Sequence, residues 1–331
     1  MNVKSKLLIS ALSGVAAVAF VGQAEARTLR LAHYMPTEEV LHSASQYFSE
    51  RVKELSNGDL SIEIFPANQL GAPQEVAEQV RLGLVDMSHN TGGQLQLWVP
   101  EYAAIQLPFL WESADHAYTV LDGEGGEILG ELAAEEGFVQ LSHWEHGFRA
   151  ISNSVRPIEN VDDLEGLSIR VPPEVPMEAA MRAAGAVPTQ ISFPELYLAL
   201  AQGSVDGQEN PVRHIFYNRF FEHQEHVAIP GPGYMYLSSV HVVSQRVWDD
   251  LSTNEQEVIR QASLEARDWM REQIAQEDSE AIAELEAAGV TITRPVPSDF
   301  QEAMQPAWQE IAEFAGESFV EQWLTLVDQA R

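Results

Sequence analysis

The chain has 331 residues and a formal charge of −31, from 50 acidic side chains against 19 basic ones. That balance excludes the basic footprint on which nucleic-acid binding depends, so no nucleic-acid partner is expected. There is no cysteine, so the fold must rest on hydrophobic cores without disulfides, which a chain of this length can bury.

At the N-terminus Lys4 and Lys6 precede an apolar run over residues 7–21, followed by the small residues of Ala24-Glu25-Ala26. The run is shorter than the ~20 residues that span a bilayer. Residues 1–26 therefore read as a removable export signal. No second such run follows, so the mature chain, beginning near Arg27, is expected to be soluble. Its length of about 305 residues exceeds the roughly 250–300 that one core organises, and two domains are expected. Loss of the leader takes Lys4, Lys6 and Glu25 away and the net charge to −32, with Lys53 as the one remaining lysine. Such charge suits concentrated salt, where the Debye length falls to ~3 Å at 1 M; a salt-loving or marine source is expected. An anion approaching this surface meets repulsion, so local arginines must capture it.

Leu29-Arg30-Leu31-Ala32-His33 alternates as a first strand. Thr37 is positioned to cap a helix through residues 40–55, and Asn57-Gly58 turns the chain into a second alternating strand at Leu60, Ile62 and Ile64. Gly71 opens a helix through Val80, and residues 84–87 read as a third strand. This is a βαβαβ beginning with a mainly parallel sheet. Asp122-Gly123-Glu124-Gly125-Gly126 reads as a loop; it is acidic, lacks lysine and does not suit phosphate. A second βα region begins near Val139. Leu167, Ile169 and Val171 alternate with Ser168 and Arg170 as a short strand that Pro172-Pro173 must end. Ser192-x-x-Glu195 and Ser252-x-x-Glu255 are capping boxes. The second opens a helical stretch to about residue 288, too long for one domain, which bends or crosses between domains. Ser298-x-x-Gln301 starts the C-terminal helices.

Arg170 is the leading candidate for function. It stands at the carboxyl end of a strand, where open α/β sheets bind ligands, and guanidinium matches a carboxylate in a two-pronged way. The alternative is an ordinary pair with one of many acidic neighbours. Arg149 is a second cation with the same two readings. Asn210, held extended before Pro211, either offers its amide to a carboxylate and hydroxyls or caps its own loop. His143-x-x-His146 and His223-x-x-His226 have the spacing of metal pairs but no clear third ligand, so neither a metal nor a cofactor is expected. Glu145 and Glu209 could form a carboxylate pair or an acidic cage for an amine. No hydrolase triad stands out.

The chain resembles the periplasmic solute-binding subunits of TRAP transporters, the DctP-type extracytoplasmic receptors. The likeness runs through Phe65-Pro66-Ala67-Asn68-Gln69-Leu70-Gly71, Leu107-Pro108-Phe109-Leu110, Gly147-Phe148-Arg149, Gly166-Leu167-Ser168-Ile169-Arg170-Val171-Pro172, Glu195-Leu196-Tyr197 and Val205-Asp206-Gly207-Gln208-Glu209-Asn210-Pro211. It implies a two-lobed α/β fold, each lobe a mainly parallel sheet flanked by helices, with a long helix shared and closure on the ligand by a hinge. Approximate lobes are 27–146 with 236–275, and 147–235 with 276–331. It places the carboxylate-binding arginine on Arg170, the second cation on Arg149, the loop asparagine on Asn210 and the packing aromatic on Phe193. Lobe I contacts fall on His33, Gln74 and Asn90 or Thr91, with Glu145 and Tyr234 as further candidates beside Tyr236. The neutral Ser88-His89-Asn90-Thr91 segment argues for one carboxylate plus hydroxyls. The implied role is a non-enzymatic periplasmic receptor, expected as a monomer, for a small organic acid delivered to TRAP membrane subunits. A uronate such as glucuronate or galacturonate is the expected ligand. A C4-dicarboxylate, keto acid or hydroxy acid is the alternative, with an amine receptor or an enzyme on the same scaffold more remote.

Overall fold

In the computed structural model, residues 26–331 are described; the export signal falls, through residue 25, outside them. The strands are β1 (Arg27–Ala32), β2 (Leu60–Phe65), β3 (Met87–Thr91), β4 (Phe138–Phe148), β5 (Ala150–Asn153), β6 (Ser168–Val171), β7 (Val187–Gln190), β8 (Gly207–Asn210), β9 (His226–Ala228), β10 (Tyr236–Ser244) and β11 (Thr291–Thr293). They form two sheets, ordered β2-β1-β3-β10-β4 and β11-β9-β5-β8-β6-β7. The fold is α/β and two-lobed. Parallel pairing leads in the second sheet, as expected, and shares the first equally with antiparallel pairing. β1 runs parallel to β2 and β3, and β6 parallel to β7 and β8. The strands beside the crossings reverse direction: β10 is antiparallel to β3 and β4, and β5 to β8 and β9.

The chain passes between lobes from β4 to β5 and back from β9 to β10. Gly147 takes φ +109° at the first passage, and a Cβ there would lie 2.9 Å from Arg213 Nη1; only glycine fits both the backbone and the space. The helix Thr253–Ala287 starts at its expected capping box, Glu255 N donating to Ser252 Oγ at 3.3 Å and Ser252 N to Glu255 Oε2 at 2.7 Å. Val258, Ile259, Ala266 and Met270 lie in a core with the first sheet, whereas Ala281 and Leu285 join the core of the second. One helix thus buries its two halves in different lobes.

Three local expectations shift. The third strand lies later, at Met87–Thr91, because its Ser-His-Asn-Thr residues are buried in spite of being polar. Gly125 and Gly126 belong to the helix Glu124–Glu135 rather than a loop, where a Cβ at either would strike a neighbour. The C-terminal helices Ala307–Ala315 and Glu317–Gln329, expected with the second lobe, bury Ile311, Val320, Trp323 and Val327 in a core with Trp111 and Leu121 of the first.

A buried ionic bridge also spans the lobes. Glu39, rather than Thr37, caps the helix Val40–Leu55, accepting from Leu41 N at 2.7 Å. The same carboxylate accepts from Arg213 Nε at 2.9 Å. Arg213, on the helix Val212–Tyr217, also donates to Asp278 on the long helix at 3.1 Å and to the carbonyl of His146 on β4.

Candidate functional site

Alternation along β6 buries Ile169 and Val171 in the core behind the sheet. Arg170 therefore points to the other side, at the strand's carboxyl end, paired in register with Thr189 and Gln208. Its Nε donates to the carbonyl of Ile191 at 2.8 Å, which fixes the fork. Nη2 is buried with no protein partner. Three arginines of the described chain are buried: Arg149, Arg170 and Arg213. Arg149 pairs with Glu209 and Arg213 with Glu39 and Asp278, but Arg170 forms no ion pair. Burial consequently depresses the Arg170 value to about 10, with Glu209 opposing and Arg149 adding to the fall.

Arg149 stands between β4 and β5, its backbone tied to Met235 and Tyr234. Its Nε and Nη2 both engage the Glu209 carboxylate, Nη2 to Oε1 at 2.8 Å. Tyr234 Oη donates to the same carboxylate at 2.5 Å. Burial alone would lower the Arg149 value, but Glu209 outweighs it and holds it above the ordinary one. Asn210, the last residue of β8, donates through Nδ2 to Gln208 at 2.5 Å.

These groups face a narrow cavity between the lobes, lined from the second lobe by Arg149, Arg170, Glu174, Phe193 and Asn210, and from the first by Tyr34, Gln74, Thr91 and Gln94. His146, on the crossing strand, completes it. Its volume is about 30 Å³, roughly the share of one water in the liquid. That is less than a molecule of several carbons fills in this arrangement of the walls. Four buried polar atoms without a protein partner lie on its lining residues: Arg170 Nη2, Glu174 Oε2, Thr91 Oγ1 and His146 Nε2. Phe193 packs edge-on against Tyr34, ring centroids 5.4 Å apart, closing one side with a contact between lobes.

Arg170, Arg149, Asn210, Phe193, Gln74 and Thr91 are thus brought together, while four other expected residues lie elsewhere. His33 turns away and bonds His42 at 3.1 Å, lining a smaller cavity behind; Tyr34, one residue on, reaches the site. Asn90 lines that rear cavity too, its amide donating to Pro73 O and Gln94 and accepting from Ser88. Glu145 accepts from Tyr118 at 2.5 Å and Tyr236 at 2.9 Å and borders a separate cavity near the hinge. Tyr234 stands behind Arg149, committed to Glu209. The paired histidines separate as well: His143 bonds Ser238 and His146 bonds Tyr34. A larger groove of about 530 Å³ on the outer face of the first lobe has charges that satisfy one another, as Arg267 does Asp122 at 3.1 Å.

Residues not foreseen are Tyr34, Gln94, His146 and Glu174. The only signal for Glu174 was its place after Pro172-Pro173. It is buried, and desolvation above all raises its carboxyl to about 7, against the pull of Arg149 and Arg170.

Residues 31–314 match the sequence profile of the bacterial extracellular solute-binding proteins, family 7, the DctP family. The chain belongs to that family. It is 27% identical to the C4-dicarboxylate-binding periplasmic protein DctP of Rhodobacter capsulatus over 94% of this chain and 96% of that one. Among solved structures, it superposes with a TM-score of 0.89 on the sugar acid binding protein DctPAm from Advenella mimigardefordensis in complex with galactonate, at 27% identity over 93% of this chain and 99% of that one. A TRAP periplasmic solute-binding protein from Chromohalobacter salexigens with bound D-glucuronate gives a TM-score of 0.87, at 26% identity over 92% and 100%. The family 7 member described here is a DctP-type receptor of the TRAP class, with two-lobed relatives throughout.

Proposed function

We propose that this receptor works in the periplasm, captures a small monocarboxylic acid between its lobes and delivers it to the membrane subunits of a TRAP transporter. A sugar acid such as D-glucuronate or D-galacturonate is the proposed ligand. The observation that carries the reading is Arg170, the one buried arginine of the described chain without a carboxylate partner, in a chain with 50 acidic residues. Its free Nη2 and the fixed Nε leave a planar donor edge open to a carboxylate. Arg149 has its charge compensated by Glu209 and frames the site beside Arg170, and Asn210 adds an amide. Tyr34, Thr91, Gln94 and Gln74 supply neutral partners for hydroxyls, and Phe193 packs on the ligand body. Relatives that bind galactonate and D-glucuronate support a sugar acid.

Truncating one member of a buried charge pair costs ~2–5 kcal/mol. At about 1.4 kcal/mol per decade, Arg170→Ala should weaken binding by roughly thirty-fold or more. Calorimetry with D-glucuronate, D-galacturonate, D-gluconate and succinate tests this. Binding of any of them as tightly by the variant as by the unaltered protein would remove the anchor. Silence from every acid would remove the receptor reading.

A further inference from the structure

The cavity holds one charged side chain that the capture of an anion does not need. Glu174 follows the strand that carries Arg170, separated from it by Val171-Pro172-Pro173. It caps the helix Val175–Ala183 by position, with no side-chain bond to that helix. Its head instead crosses to the first lobe. A Cβ built on Gly93 would fall 1.5 Å from Glu174 Oε2 and 3.0 Å from Gln106 Nε2, so the carboxyl lies in the space that glycine leaves open, next to the Gln106 amide. Glu174 is 3% exposed, and Oε2 has no partner. Arg170 is held by the Ile191 carbonyl on the second-lobe side and forms no ion pair with Glu174. The cavity therefore carries two charged groups: a fixed guanidinium on the second-lobe wall, and an acceptor carboxyl whose head sits against Gly93 of the first.

We infer that Glu174 sets the ligand class: the site takes an acid with a single carboxylate, bound at Arg170, whose far end presents a hydroxyl donor to Glu174, and it rejects an acid carrying a second carboxylate there. This rests on the receptor reading above and narrows it. A buried carboxylate accepts only, so a hydroxyl satisfies it, whereas a second anion adds like-charge repulsion in a desolvated space. The relative named for C4-dicarboxylates shows that the family does not impose the choice, which leaves it to residues lining the cavity. The burial-raised carboxyl fits a group held away from water without a cation in ion-pair contact.

The test compares acids of one chain length that differ only at the far end: D-gluconate against D-glucarate, and 4-hydroxybutyrate against succinate. Affinities are measured by calorimetry about one pH unit above the Glu174 value of about 7, for the unaltered protein, Glu174→Gln and Gly93→Ala. The unaltered protein should prefer each hydroxy acid over its diacid. Glu174→Gln, close to isosteric and able to donate, should shift that preference towards the diacid by at least about tenfold. Gly93→Ala should move the same way, because its methyl displaces the carboxyl from its seat. Thermal unfolding confirms that each variant is folded. A preference unchanged in both variants overturns the inference and leaves the Arg170 anchor standing; it would mean that Glu174 swings out as the lobes part. Retention of every acid when Arg170 is replaced removes the anchor instead, and silence of the unaltered protein towards every acid overturns the receptor reading.

Discussion

Replacing Arg170 with methionine should make the empty protein more stable while it destroys binding. Burial lowers the Arg170 value from 12.5 to about 10. At about 1.36 kcal/mol per unit, the charged side chain costs the native state roughly 3 kcal/mol relative to the unfolded chain. The sign follows from the direction: a cation whose native value is depressed is penalised wherever both states are charged, which is every pH below about 10. Arg170→Met also loses the bond from Nε to the Ile191 carbonyl, worth roughly 1 kcal/mol. The balance is a gain of roughly 2 kcal/mol. The same substitution at Arg149 has the opposite sign, because it strands Glu209 uncompensated in the interior, a loss of ~3–5 kcal/mol. Urea unfolding of both ligand-free variants near neutral pH, followed by tryptophan fluorescence, gives the two differences directly. If Arg170→Met proves as destabilised as Arg149→Met, Arg170 is a structural ion and not a held-open anion site.

Two further outcomes follow from the charges. Burial holds His33 near 4 and His143 and His241 near 3; the unfolded chain takes up these protons from about pH 6.5 downward, so each histidine costs about 1.4 kcal/mol per pH unit as the pH falls below that point. Glu145 and Glu174, raised from 4.5 to about 7, act oppositely between those values, but below about pH 6.5 the histidines outnumber them: the melting temperature should fall between about pH 6.5 and pH 5, and a rise there would contradict the burial argument. Raising sodium chloride from ~0.1 to ~1 M shortens the Debye length from ~10 to ~3 Å and should raise the melting temperature of a chain with this net charge; a flat response in calorimetry would mean that surface repulsion contributes little.

Arg170 was legible because alternation and a double proline fix both its direction and its place at a strand end. The long shared helix was legible from a capping box and the lack of any Pro or Gly for over thirty residues. What escaped depends on partners far apart in sequence. Nothing local shows that Arg149 spends its fork on Glu209, 60 residues away. His33 stood in for Tyr34 because β1 ends at Ala32, and past that point strand alternation no longer says which side chain faces the crevice. The polar strand β3 is invisible to a search for apolar periodicity. Glu174 looked like one more carboxylate in an acidic chain, and only the bare backbone of Gly93 across the cleft gives it a seat.

The bridge made by Glu39, Arg213, Asp278 and the His146 carbonyl has a consequence for population. Glu39, Arg213 and Asp278 do not line the cavity, so their ion pairs tie the two lobes together whether or not an acid is present. A ligand shifts an equilibrium only by its differential affinity for the two states, and its apparent affinity scales with the fraction of protein already competent to hold it. An internal clasp of this kind raises that fraction in advance. It trades contrast for grip: a clasp that acts without the ligand favours one arrangement of the lobes in full and empty molecules alike.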